Sequence, residues 1–158
     1  MKNFLSKPAP VETITGLPAD SVTKYMATNL ITFKPETDIM EAINTLLDKR
    51  ITGAPVLNQR NEVVGMIDDK DCLHILVDSV YHNQPVHKHT VGDYMTDVMR
   101  KITDDADIVD AANIFLSTKF KRLIVTDKAG RLKGQISRRD ILRAIKDLDG
   151  STWFDKTR

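Results

Sequence analysis

The chain has 158 residues, 41% of them apolar, and a net charge of +1, which is enough for one compact domain or two small units sharing a core. The near-neutral balance, with no basic run interleaved with aromatics, argues against nucleic acid as a partner. Cys72 stands alone, so no intramolecular disulfide forms, and no apolar run is long enough to span a bilayer.

The opening residues, Met1 to Pro8, lack the apolar core of a secretory signal, so a cytoplasmic location is expected. Pro8, Pro10, Gly16 and Pro18 with little periodicity predict an extended lead-in over 1–20. Next comes a predicted helix with Ile39, Ala42, Ile43, Leu46 and Leu47 on one face, opened by Thr37 or Asp38. Strands are predicted over 54–57 and 63–67, joined by the polar turn 58–61, with a second helix over 71–80. The linker 81–90 follows, then helix 108–116, strand 123–126, turn 127–130, strand 132–136 and helix 141–148, with a tail over 149–158. Short leading strands are expected near Thr32-Phe33 or Ile102-Thr103.

The two halves repeat. At a constant offset of 69 (Val91 against Val22), Tyr25-Met26 pairs with Tyr94-Met95 and Asp38-Ile39 with Asp107-Ile108. Ala42, Asn44, Leu47, Val56, Gly65, Ile67 and Asp71 likewise pair with Ala111, Asn113, Leu116, Val125, Gly134, Ile136 and Asp140. Roughly a quarter of the positions are identical without a gap, on periodic apolar sites and turns, as in a duplicated structural unit. Each copy, 21–80 and 91–148, reads as β-α-β-β-α: an α+β fold with a parallel right-handed crossover and then a hairpin. One unit would leave a sheet face bare, and two packed as a pseudo-twofold pair would cover it.

Gly134 to Asp140 joins a strand to a helix and places Ser137 at the N-cap. Unpartnered N–H groups of a first helical turn, with Arg138 and Arg139 beside them, suit a phosphate, and Asp140 suits the hydroxyls of a ribose. Together these suggest a nucleotide. The same Ser-x-x-Asp spacing is equally a capping box that satisfies backbone donors alone.

The ordered set of Tyr-Met pairs, Asp-Ile helix starts, Ala54-Pro55-Val56 and two Gly-x-x-[Ser/Thr/Asp]-x-x-Asp segments resembles the tandem CBS-domain pair, or Bateman module, over about 22–148. The resemblance implies two clefts between the units that bind adenosine-type ligands such as AMP, ADP or ATP, commonly a dimer, and no catalysis by the module itself. It also implies phosphate on Ser137, with Lys121, Arg122 and Arg139 as further contacts, and ribose on Asp140. Thr32, Ile51, Thr52 and Ala54 in one copy, with Thr103 and Phe120 in the other, are expected near a base, an ordinary core role being the alternative for each.

In the first copy Asp68 replaces the hydroxyl, and a carboxylate about 4 Å from a phosphate costs on the order of 4 kcal/mol at an effective dielectric near 20. That site is expected to be closed to a bare monophosphate. Asp71 could still hold a ribose, Asp68 with Asp69 could hold Mg²⁺ on a di- or triphosphate, or Asp68 could simply cap its helix.

His82, His87 and His89 fall on a predicted loop with Pro85 and read as solvated rather than metal-ligating; Cys72 reads as a small apolar residue on its helix. Trp153-Phe154 reads as a loose tail or a dimer contact. With no evident nucleophile, base or metal set, an enzyme is not expected. The expected function is a nucleotide sensor, acting as a homodimer and read by a separate effector protein, the alternative being a dimerisation module with vestigial clefts.

Overall fold

A computed structural model describes residues 19–81, 89–97 and 99–149. The lead-in up to residue 18, His82, His87, Pro85 and Trp153-Phe154 lie outside the described residues.

In the first repeat, a single helical turn at Val22–Lys24 precedes α1 (Ile39–Lys49), β1 (Gly53–Leu57), β2 (Val63–Asp68), α2 (Asp69–Cys72) and α3 (His74–Tyr81). The second has α4 (Val91–Tyr94), β3 (Lys101–Thr103), α5 (Ile108–Ser117), β4 (Arg122–Thr126), β5 (Leu132–Ser137) and α6 (Arg138–Asp149). Asp38 caps α1 by accepting from the amides of Met40 and Glu41, and Asp107 caps α5 by accepting from Asp110. The expected second helix of the first repeat is interrupted at Leu73, whose backbone stays in the right-handed helical region, so the chain direction persists.

Strand β3 runs parallel to β4, and β4 antiparallel to β5. Strands β1 and β2 form the matching hairpin, but the leading strand there shrinks to one parallel bridge, Phe33 to Val56. Proline explains the loss. The Asp104 amide donates to Thr126 at 2.8 Å and that of Ile124 to Arg100 at 3.0 Å, while the equivalent positions, Pro35 and Pro55, have no N–H to give. Both hairpin turns need a left-handed residue, supplied by Asn61 (φ 61°) and Gly130 (φ 86°).

The two cores are interlocked. Val22 and Tyr25 pack with Ile108, Phe115, Leu123 and Ile141 in the core of the second repeat. Reciprocally, Val91 packs with Ile39, Val56 and Ile67 in the core of the first, with Tyr94 and Met95 against it. Hydrogen bonds repeat the exchange: Val22 N–H to the Ala106 carbonyl (3.0 Å) and Val91 N–H to the Thr37 carbonyl (2.8 Å). Val22 and Val91 are fully buried, each worth about 1.5–3 kcal/mol. The two exchanged segments, arms over 22–27 and 91–96, then cross the second hairpin strands at Gly134 and Gly65, where a Cβ would stand 2.7 Å from the Ala27 carbonyl oxygen and 3.0 Å from that of Thr96. Only glycine permits so close an approach of backbone to strand.

The pseudo-twofold axis passes between Glu62 and Arg131, an isolated bridge whose two residues are each other's mates. Leu57, Val63, Met66 and Ile124 close a third apolar cluster drawn from both repeats. The predicted apolar helix faces are only partly used: Leu47, Leu116, Leu142 and Ile145 are 71%, 85%, 63% and 50% exposed, because Ala42, Leu46, Ala111, Ala144 and Ile141 already fill the sheet-facing side.

Candidate functional site

Two clefts lie between the repeats, and the offset of 69 carries one onto the other. The Ser137 cleft, about 400 Å³, is lined by Ser137, Gln135, Leu30, Ile31, Arg50, Ile51 and Pro55 among others. At the equivalent positions the Asp68 cleft, about 570 Å³, has Asp68, Met66, Met99, Arg100, Lys119, Phe120 and Ile124. Thr52, Lys121 and Arg122 line both.

Ser137 and Asp68 are held alike. The Ser137 amide donates to Asp140 Oδ2 (2.8 Å), and the Asp140 amide to Ser137 Oγ (3.3 Å). The Asp68 amide donates to Asp71 Oδ2 (3.0 Å) and the Asp71 amide to Asp68 Oδ1 (2.8 Å). The capping reading therefore describes both segments, and it leaves Ser137 and Asp68 half-buried on the cleft walls.

Electrostatics separates the clefts by placement rather than by sum. Arg50, Lys121 and Arg122 line the Ser137 cleft with no carboxylate. Lys70, Arg100, Lys119, Lys121 and Arg122 line the other, against Asp68 and Asp69, so the surplus is three cations in each. In the first repeat, burial, with the neighbouring Asp68 charge adding to it, pushes Asp71 up to about 6, against the backbone hydrogen bond from Asp68. Burial likewise raises the Cys72 thiol to about 11, which makes it a poor nucleophile at neutral pH.

Of the expected site residues, the structure brings Ser137, Lys121, Arg122, Thr52 and Ile51 into the Ser137 cleft, and Asp68, Asp69 and Phe120 into the other. Several expectations need correcting. Asp140 is 7% exposed and turned inward: Oδ2 accepts from the amide and hydroxyl of Ser137, and Oδ1 from Arg143 at 2.5 Å. Asp71, its mate, is likewise engaged as a cap and lines neither cleft. Arg139 is exposed and outside both clefts, one position short of the inward-facing Asp140. Ala54 points into the core, 1% exposed, because strand alternation gives the cleft to Gly53 and Pro55 instead. Thr32 lies outside both clefts, next to Ile31, which lines one. Thr103 pairs with Thr126, at the far end of the ladder from Arg122, and its hydroxyl donates to Asp105.

Arg50, Lys119, Arg100 and Lys70 were missing from the sequence reading. Arg50 ends α1 in the left-handed conformation (φ 54°), which turns the chain from the helix toward β1 along the cleft. Its signal was available: Arg50 and Lys119 are mates, each a cation just before an apolar residue and a strand. Among the described residues, no group of three or more His, Cys, Asp or Glu could hold a metal, and His89 sits edge-on to Tyr94 with Nδ1 3.8 Å from Asp93. No helix among the described residues is long and apolar enough to cross a membrane.

The family model described as CBS domain matches residues 22–78 and 91–147. The chain is 32% identical over 134 residues to the uncharacterized protein MJ1225 of Methanocaldococcus jannaschii, covering 85% of this chain and 44% of that one, so it spans less than half the length of that relative. It is 29% identical to the chloroplastic CBS domain-containing protein CBSX2 of Arabidopsis thaliana, over 94% of this chain and 75% of the relative. The crystal structure of CBSX2 in complex with AMP aligns with a TM-score of 0.71 at 32% identity, covering 82% of this chain and 98% of that one.

Proposed function

Because this chain belongs to the CBS domain family, we propose that it is a regulatory sensor that binds an adenine nucleotide in the Ser137 cleft and leaves it chemically unchanged. One observation carries the reading: between the repeats a half-buried hydroxyl shares a cleft with three cations and no carboxylate. The complex of CBSX2 with AMP supports the ligand class. Phosphate rests on Ser137, Arg50, Lys121 and Arg122, with the base toward Ile31 and Ile51. Ribose takes Oδ1 of Asp140 in exchange for Arg143, whose side chain is 58% exposed and gives up both that bond and the one it donates to the Tyr25 carbonyl (3.2 Å). The Asp68 cleft refuses a bare monophosphate, and it admits ADP or ATP with Mg²⁺ shielding Asp68 and Asp69.

Ligand binding biases the packing of the two repeats through their shared clefts, and a separate effector protein reads the change. Titration calorimetry with AMP, ADP, ATP and S-adenosylmethionine tests the reading. Asp140→Ala loses about 1.5–3 kcal/mol, or roughly ten- to a hundredfold in affinity. Wild-type protein that binds none of them at millimolar concentration sinks the proposal.

A second reading, ligand-independent dimerisation, is favoured by the apolar ridges on the helices. Leu47, Leu73 and Leu76 are 71%, 67% and 67% exposed, and their mates Leu116, Leu142 and Ile145 repeat the pattern. Sedimentation with and without nucleotide separates the two. A dimer that Leu76→Glu with Ile145→Glu dissociates, and that nucleotide leaves unchanged, favours the second.

A further inference from the structure

Thr52 and Lys121 are exchanged by the pseudo-twofold and both line both clefts, so the axis passes between them. Arg122 also lines both, but its mate is Gly53, which has no side chain. The waist therefore holds one guanidinium for two anion positions. Its backbone pairs with Ser137 in the β4–β5 ladder, while its Nη2 donates to Thr52 Oγ1 of the first repeat at 2.8 Å. The side chain thus starts in one repeat and ends on the other. Apart from Lys121, the remaining cations line one cleft each.

A guanidinium grips a phosphate through two parallel N–H groups of its fork, a geometry that one anion takes at the expense of another. We propose that Arg122 is a shared anion-binding residue that couples the clefts, so that a phosphate held in one weakens the binding of a second phosphate in the other. The inference rests on the nucleotide reading above and adds to it a regulation: two occupancies that resist each other, set by one side chain. A carboxylate at Asp68 and a guanidinium at Arg122 then work together, because each favours a single phosphate per chain.

Calorimetry with AMP on the full chain tests this through a cycle of variants. Wild type reports the Ser137 cleft alone, Asp68→Ser with Ser137→Asp reports the other cleft alone, and Asp68→Ser leaves both open. The product of the two stepwise affinities in Asp68→Ser is expected to fall about tenfold below the product of the two single-cleft affinities. Adding Arg122→Gln, which keeps an amide donor for Thr52 and removes the charge, weakens both single-cleft affinities and removes most of that shortfall. Matching thermal melts show that the variants are folded. The inference is overturned, and the sensor reading left standing, by any of three results in a chain that binds AMP: only one cleft binding, no shortfall, or Arg122→Gln weakening one cleft only. A wild type and an Asp68→Ser chain that both bind no AMP overturn the two together.

Discussion

In the Ser137 cleft the residue before α6 presents a hydroxyl beside Lys121 and Arg122; in the Asp68 cleft the same position, in the same capping exchange, presents a carboxylate among five cations. Serine and aspartate are about equally good N-caps, so the helix start constrains this position without deciding between them. On the proposed function, the ligand decides what the helix leaves open: one repeat can keep the architecture without holding a phosphate, because the cap is made either way.

Ser137→Asp breaks the comparison most sharply. It keeps the cap and should cost AMP about 4 kcal/mol, near a thousandfold, measured by calorimetry with the melting temperature unchanged. Gly134→Ala tests the arm rather than the cleft. Its Cβ would meet the Ala27 carbonyl oxygen at 2.7 Å, so a loss of about 1–3 kcal/mol is expected in denaturant unfolding. Gly65→Ala should cost less, since its nearest backbone oxygen is 3.0 Å away and its nearest atom, Met95 Sδ, ends a flexible side chain.

Next come Tyr25→Phe and Tyr94→Phe. They remove hydrogen bonds from each arm to Asp147 (2.6 Å) and Asp78 (2.8 Å), each worth about 1 kcal/mol in the same measurement. Equal losses would show that the two arms are equivalent. The smallest effect concerns pH. Asp71, raised from 3.8 to about 6, binds its proton more tightly folded than unfolded, so its contribution makes the protein less stable as pH rises from about 4 to about 6. Asp71→Asn, which can still accept the Asp68 amide, should gain on wild type at pH 7 and lose that advantage near pH 4, in melts across that range.

The duplication, the helices α1, α5 and α6 and the hairpins were legible because periodicity and turn residues report local geometry. The arm exchange was not. Val22 and Val91 match each other, and the same pattern results whichever core each one enters. At the site, Ser137, Lys121 and Arg122 were legible from the motif and its neighbouring strand, whereas Arg50 depends on a left-handed turn that no apolar pattern announces. Spacing shows how far apart a hydroxyl and a carboxylate lie along a chain, and does not show that Arg143 and the Ser137 amide hold the Asp140 carboxylate, so that a ribose has to displace Arg143 to reach it. Proline cost the first repeat its leading strand by a rule visible in the sequence, but only once Pro35 and Pro55 are set against Asp104 and Ile124.

The interlocked arms also govern how the chain reaches this state. During synthesis the first repeat cannot close its interior until Val91 has emerged, and Val22, made early, waits for Ile141 and Ala144. Contacts of such sequence separation carry a loop-closure cost before they return any stability, so folding should be slow for a chain of this size and concerted across both halves. Severing the chain between the repeats would therefore yield two fragments, each with a hole in its interior that only the other can plug.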